Sequence, residues 1–300
     1  MRVVFLGNHT VGVTALSVLE QCAEIVGVIA HPEDPEDGVC YQSVYAYANS
    51  RSFPVIRGKA TEPGVADFIA LAKPDLIWIT DYRYLLPAEL LCIAPLGTIN
   101  LHPSLLPRYR GRAPINWAIL YGETKLGLTA HFVDEGMDSG DIIMQESFEL
   151  SINEDVGDAL RKLLPLYASI TRRILSDLQS GNLVRQKQNA ADTTCYPARK
   201  PSDGQIDWDQ NASAILNMVR AVAPPYPGAF SFLGNKKIII KKANLSQSIR
   251  SAKAGSVIGF EQGAPLVACG EGVLVLREIE SVDGGHCPID VGDVFRIKDS

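Results

Sequence analysis

Asn100, His102 and Asp138 are the residues whose types and spacing could do chemistry together. Gly97–Leu101 reads as a strand, and Pro103 closes it because proline brings no amide proton to a ladder. Residues two apart on a strand point the same way, so Asn100 and His102 share a side at its carboxyl end. Asparagine is a neutral donor and histidine a titratable one. Together they suit the holding of a developing oxyanion and the movement of a proton. Farther on, Val133-Asp-Glu-Gly-Met-Asp-Ser-Gly-Asp-Ile142 sets several carboxylates in a glycine-rich loop after another strand. A carboxylate beside His102 would orient the ring and raise its pKa, favouring the charged form. Ordinary turns also contain such residues. Alone, they define an α/β enzyme with an Asn/His/Asp site, for which a carbonyl substrate is one fit.

These residues need a scaffold. Val3–Leu6, Ile25–Ala30, Phe53–Ile56, Asp75–Thr80, Gly97–Leu101 and Leu128–Val133 read as short buried strands. Helical patterns over Val11–Cys22, Tyr41–Ser50 and Glu62–Ala72 separate the first four. That alternation predicts a doubly wound, mostly parallel α/β sheet, which binds ligands beyond the carboxyl ends of its strands. Gly7 and Gly12 sit in GNHTVG, which is not GxGxxG; a glycine that lets the first strand turn into its helix explains them better than a dinucleotide. A long amphipathic helix is expected over Asp155–Gln179. Beyond Pro201 the pattern changes to short β runs (Ala229–Leu233, Lys237–Ile240, Gly255–Ile258, Pro265–Ala268, Gly272–Leu276) between Gly, Asn and Asp turns. This predicts two domains: an α/β catalytic domain over 1–200 and a smaller β-rich, barrel-like one over 201–300.

Composition narrows the classes. The chain has 300 residues, at roughly 150 per domain. Its 28 Lys plus Arg against 34 Asp plus Glu leave a charge of −6, a bias against a protein that grips phosphate backbones. The six cysteines are scattered without a CxxC and fit reduced thiols. His286–Cys287 supplies too few ligands for a structural zinc, so no metal is expected. MRVVFLGNHTVG lacks the features of a signal peptide, and no apolar run reaches the roughly 20 residues of a membrane span. A soluble, cytoplasmic protein without membrane insertion is expected.

Beyond the trio, Asn100-Leu-His-Pro-Ser-Leu-Leu-Pro-Arg-Tyr-Arg-Gly is followed by Pro114-Ile-Asn-Trp, Gly122-Glu, Gly127-Leu-Thr and Asp138-Ser-Gly-Asp-Ile-Ile. In this order and spacing they resemble the formyltransferases that use 10-formyltetrahydrofolate. Asn217-Met-Val-Arg-Ala-Val and Pro227-Gly-Ala-Phe230 carry the resemblance into the C-terminal half. It implies a Rossmann-like formyltransferase domain followed by an OB-like barrel, with Asn100, His102 and Asp138 as the catalytic residues. An amine would attack the formyl carbon. Asn100 and His102 would stabilise the oxyanion, and His102, or a water held by Asp138, would take the amine's proton. The resemblance also implies a folate site made by Arg83, Tyr84 and Leu85 with Asp134, Glu135 and Gly136 opposite. Ordinary core packing is the other reading of Tyr84 and Leu85.

The amine remains to be chosen. Single-domain formyltransferases acting on glycinamide ribonucleotide lack the C-terminal barrel. Methionyl-tRNA formyltransferases have both domains, but a basic loop after their second strand. Here that loop is His31-Pro-Glu-Asp-Pro-Glu-Asp-Gly-Val-Cys40, with four acids and no Lys or Arg. Lys236–Lys242 is the sole basic cluster of the second half and reads as a solvated strand edge. The chain is most similar to sugar-nucleotide N-formyltransferases, particularly the domain acting on UDP-4-amino-4-deoxy-arabinose. Tyr41-x-Ser-Val, Tyr82-Arg83 and Arg108–Trp117 carry this likeness. It implies small-molecule partners, folate and a UDP- or dTDP-linked amino sugar, in lipid A or surface glycan synthesis, and no nucleic acid. By location, Arg110, Arg112 and Arg220 either meet the pyrophosphate or cap helices and pair with acids. Tyr226 either stacks on the base or packs against Trp208 or Phe230. The initiator-tRNA enzyme is the alternative, and a formyltetrahydrofolate hydrolase or folate-binding module a different class. The sugar, the base and the oligomeric state stay open.

Overall fold

The computed structural model describes residues 1–32, 41–248, 252–282 and 288–297. The acids at 33, 34, 36 and 37 and the pair His286–Cys287 lie outside the described residues. Two compact units are formed. The first comprises Met1–Gly111, Gly127–Phe148 and Arg161–Tyr196; the second comprises Arg112–Leu126, Glu149–Leu160 and Pro197–Ser300.

In the first unit β1 (Arg2–Gly7), α1 (His9–Cys22), β2 (Glu24–Ala30), α2 (Val44–Ser50), β3 (Val55–Arg57), α3 (Pro63–Ala72) and β4 (Leu76–Thr80) alternate. α4 (Ala88–Leu91), β5 (Thr98–His102), the short β6 (Arg110–Gly111), β7 (Lys125–Phe132) and β8 (Ile142–Glu149) follow. The seven-stranded sheet runs β3-β2-β1-β4-β5-β7-β8. Its first five strands are parallel, and β7 runs antiparallel to β5. β1 and β4 are near-continuous apolar runs because both their faces are covered: Val3–Leu6 and Leu76–Trp78 are fully buried. Gly7 has a close-approach role. A Cβ there would lie 2.8 Å from Thr80 O on β4.

α6 (Val156–Ser180) supplies the long amphipathic helix, with Leu163, Tyr167, Ile170 and Ile174 buried at helical spacing. After it the chain returns as β9 (Cys195–Tyr196), paired in parallel with β6. The sheet is thus parallel-dominated α/β, with β7 and β8 extending it as an edge that a purely parallel pattern omits.

The second unit holds α5 (Pro114–Leu120), α7 (Ala212–Ala221) and an antiparallel six-stranded sheet consistent with a small barrel domain. Its strands are β10 (Ala229–Leu233), β11 (Lys236–Leu245), β12 (Val257–Glu261), β13 (Ala264–Ala268), β14 (Val273–Ser281) and β15 (Phe295–Arg296), in the order β12-β13-β14-β11-β10-β15. Two polar bonds explain why α5 and residues 149–160 belong here. The buried Asn116 Nδ2 donates to Ala221 O at 2.7 Å, and Leu150 N donates to Thr124 O at 2.7 Å.

Candidate active site

Antiparallel pairing of β5 with β7 sets Asn100 opposite His131 and His102 opposite Thr129. Directly opposed residues of a ladder share a face, so these four polar side chains line one side of the sheet. His131 Nδ1 lies 2.7 Å from Phe132 O, which can only accept; the proton therefore sits on Nδ1. His131 Nε2 then accepts from Asn100 Nδ2, 3.2 Å away. That bond orients the Asn100 carboxamide and leaves the second N–H of the same nitrogen available.

His102 is 5% exposed. Its Nε2 donates to Tyr109 O at 2.8 Å, so Nδ1 is the nitrogen left for chemistry. Asp138 Oδ2 stands 3.6 Å from that Nδ1, and Asp138 Oδ1 lies 3.5 Å from His131 Nε2. Burial lowers the His102 pKa below its ordinary 6.5, against the pull of Asp138 and the Tyr109 carbonyl. The sequence-based expectation of a raised value is therefore corrected: in so dry a position desolvation outweighs the neighbouring carboxylate. Burial alone would raise the Asp138 carboxyl, but His102, His131 and the Gly111 amide more than reverse this and hold it well below its ordinary range. At neutral pH the site pairs a neutral imidazole with a carboxylate. Such a pair can take up a proton, with the counter-ion for the resulting imidazolium already in place.

Backbone geometry on the 104–111 loop and the 134–141 loop holds these groups. Tyr109 and Asp138 both adopt left-handed φ, 60° and 48°, which non-glycine residues enter only when surroundings enforce it. For Tyr109 the enforcers are Thr194 Oγ1, which accepts its amide at 2.8 Å, and Tyr196, whose ring stacks on it at 5.4 Å. Gly111 N donates to Asp138 Oδ2 at 2.8 Å. Only glycine suits that position: its φ is 92°, and a Cβ would fall on Tyr196 O.

A family model described as formyl transferase matches residues 1–170, more than half of the chain, and one described as formyl transferase, C-terminal domain, matches residues 199–291. The chain belongs to the formyl transferase family. It is a formyl-transferring enzyme, and its fold recurs among solved structures. WlaRD, a sugar 3N-formyl transferase studied in the presence of dTDP and 5-N-formyl-THF, is 20% identical, with a TM-score of 0.70 over 94% of this chain and 98% of that one. The N-formyltransferase from Helicobacter canadensis, in complex with folinic acid and dTDP-3-aminofucose, is 19% identical, with a TM-score of 0.69 over 91% and 98%. Methionyl-tRNA formyltransferase from Clostridium thermocellum is 16% identical, with a TM-score of 0.58 over 94% and 99%. At these identities the likeness is one of fold.

Within this formyl transferase, Asn100, His102 and Asp138 come together with His131, which sequence reasoning missed. Its signal was present: Thr129 and His131 alternate with Leu128, Ala130 and Phe132 on a buried strand. Of the residues expected at the folate, Asp134 lines a cavity of about 330 Å³ with Leu91, Thr98 and Val133. The buried Thr98 hydroxyl has no partner. Asp134 Oδ1 also accepts from Gly136 N at 3.1 Å and Ser139 Oγ at 2.7 Å, which shapes the loop that carries Glu135. Arg83, Tyr84 and Leu85 follow β4 instead; Tyr84 stacks on His31 at 4.9 Å, and Leu85 is exposed.

The arginines part company. Arg110 Nε and one terminal nitrogen donate to Gln188 Oε1 at 3.1 and 2.7 Å. In the second unit Arg112 is exposed, whereas Arg220 is 7% exposed and donates to Glu154 O, Asn217 Oδ1 and Ser151 O. This guanidinium buttresses the 151–154 turn, and a pyrophosphate would have to displace those bonds. Tyr226 is half-buried in the turn after α7. Trp208 packs on Phe295 and Phe230 on Phe232. Among the described residues no group of three or more His, Cys, Asp or Glu is placed to hold a metal ion, and no helix is long and apolar enough to cross a membrane.

Proposed function

We propose that this enzyme transfers the formyl group of 10-formyltetrahydrofolate to the amine of a nucleotide-linked amino sugar, in lipid A or surface glycan synthesis. The observation that carries the chemistry is the buried His102, whose Nδ1 stands 3.6 Å from Asp138 Oδ2 on the sheet face that Asn100 shares. Asn100 donates to the oxygen on which charge develops. His102 Nδ1 takes the proton that the amine loses as its nitrogen bonds to the formyl carbon, and Asp138 stabilises the imidazolium. That proton then leaves with the departing nitrogen of the donor, so the site returns to its starting state. When bound, the folate supplies the activated formyl group. The cavity beside Asp134 offers a pterin apolar walls from Leu91 and Val133 and a carboxylate. In this reading Arg83, Tyr84, Leu85, Glu135 and Gly136 complete the folate site, residues 1–200 form the catalytic domain and residues 201–300 the smaller one.

The amino-sugar acceptor is supported by the shared fold with enzymes whose complexes contain dTDP or dTDP-3-aminofucose. It is supported too by the C-terminal lysines, of which Lys241 and Lys242 pair with Glu280 and Glu278 and so offer little to a phosphate backbone. Cys22, Cys92, Cys195 and Cys269 are free thiols, which agrees with a cytoplasmic setting. The test is incubation with formyl donor and UDP-, dTDP- and GDP-linked 3-amino and 4-amino sugars, read by mass spectrometry. The expected result is one product heavier by a carbonyl group. Formylation of charged initiator tRNA alone would overturn the acceptor, and donor hydrolysis without any amine would overturn the transfer.

A further inference from the structure

Gln188 lies between α6 and β9, outside the main sheet, yet its carboxamide joins both loops that hold the catalytic groups. Oε1 accepts from the Arg110 guanidinium at 2.7 and 3.1 Å, and Nε2 donates to Asp138 O at 2.7 Å and to Gly140 O at 2.8 Å. Only a carboxamide fills this place, because one end must accept from a cation while the other donates twice. The two carbonyls belong to the turn in which Asp138 is held at φ 48°. The same stretch of chain is laced down on either side: Gln186 exchanges backbone bonds of 2.8 Å with Ile142, and Arg110 N donates to Thr194 O at 2.9 Å.

We propose that Gln188 is a positioning residue that ties the Arg110 strand to the Asp138 turn and thereby holds the Asp138 carboxylate against His102. It touches no reacting atom. Its influence passes through the main chain of residues 138–140 to a carboxylate whose other anchor is Gly111 N. The charged or titratable groups facing His102 are Asp138 from this turn and His131 from β7, so a displaced Asp138 leaves the ring without its negative neighbour. The assignment of Asp138 to proton transfer rests on the function proposed above, but its placement against His102 does not.

The test uses the full chain carrying Gln188→Ala, Gln188→Glu, Asp138→Asn and the Gln188→Ala/Asp138→Asn double substitution. The histidine ring signals are followed by NMR across pH, with those of His102 identified by their loss in His102→Asn. In Gln188→Ala the His102 titration is expected to move to lower pH, towards that of Asp138→Asn, and the double variant is expected to add nothing further. Gln188→Glu preserves shape and the Arg110 pair but sets a carboxylate oxygen against two carbonyls, and the same shift is expected. With an accepted amine, kcat is expected to fall roughly tenfold or more while KM for the formyl donor stays within about twofold, as for loss of an interaction made only in the transition state. A folded Gln188→Ala or Gln188→Glu protein whose His102 titrates as in the unaltered enzyme overturns the proposal, as do additive shifts in the double variant. Should Gln188→Ala not fold, the near-isosteric Gln188→Glu carries the test. The ring titration needs no acceptor, so failure to find an amino sugar is distinguishable from failure of this inference.

Discussion

At the end of β5, His102 is 5% exposed and faces Asp138 across 3.6 Å. On β11, by contrast, the Lys241 and Lys242 side chains are 41% and 59% exposed, each beside a glutamate of β14. Both clusters set a basic side chain within 4.0 Å of a carboxylate. In the second, water screens the charges and the pairs contribute little. In the first, water is excluded, so the neighbours decide which form each group takes. Desolvation, and not the number of charges on a strand, separates a reactive cluster from a solvated one.

The sharpest way to break this contrast is to remove a buried polar side chain of the first cluster. Asn100→Ala and His102→Ala are each expected to lower formyl transfer at least a hundredfold, the first in line with about 3–4 kcal/mol for a lost oxyanion contact and the second through loss of the base, while far-UV circular dichroism stays unchanged. Near-normal turnover in either would sink the catalytic assignment. The pH profile comes next. Because burial lowers His102, its base form persists below 6.5, and turnover should hold level there before falling about tenfold per pH unit on the acid side. The stability sign agrees. Between the lowered native value and 6.5 the unfolded chain binds a proton that the folded chain does not, so the His102 contribution rises with pH through that window and is lost as pH falls below 6.5.

A step down, His131→Ala should cost roughly tenfold in kcat with little change in KM, since it frees the Asn100 carboxamide without deleting it. An unchanged kcat would show that the sheet alone orients Asn100. Arg220→Ala should leave the first unit's chemistry intact and act on stability instead: removing donors from Ser151 O and Glu154 O costs about 1–3 kcal/mol, measured by denaturant unfolding. The smallest effect is expected for Lys241→Ala with Lys242→Ala, within about 0.5 kcal/mol in stability and with transfer unaltered. A clear rate loss there would draw the exposed stripe into acceptor recognition and erase the contrast.

What could be read without the structure followed from local rules. The period-two spacing of Asn100 and His102 placed them together at a strand end, and β5 does run to His102, one residue past the expected Leu101. The apolar runs of β1 and β4 announced a sheet covered on both sides. Harder to read was anything carried by pairing between distant segments. His131 gains its meaning from standing opposite Asn100 in an antiparallel ladder, a direction that alternating strands and helices do not reveal. The lowered state of His102 depends on how completely the loops exclude water, which no motif encodes. Arg220 left two readings open, an anion contact or a structural partner, because an isolated arginine shows its charge and not its partners. Gln188 had no signal at all: its bonds reach main-chain atoms 48 and 50 positions away.

The pairing of β6 with β9 also bears on how the enzyme comes into being. Asn100, His102 and Asp138 leave the ribosome well before Thr194 and Tyr196, and Tyr109 meets Thr194 across a separation of 85 residues. A nascent chain that has reached residue 150 carries every reacting group but not the segment that closes around them. On the proposed roles, competence would arrive late in synthesis, when the return of the chain after α6 pairs β9 with β6 and closes around these three side chains.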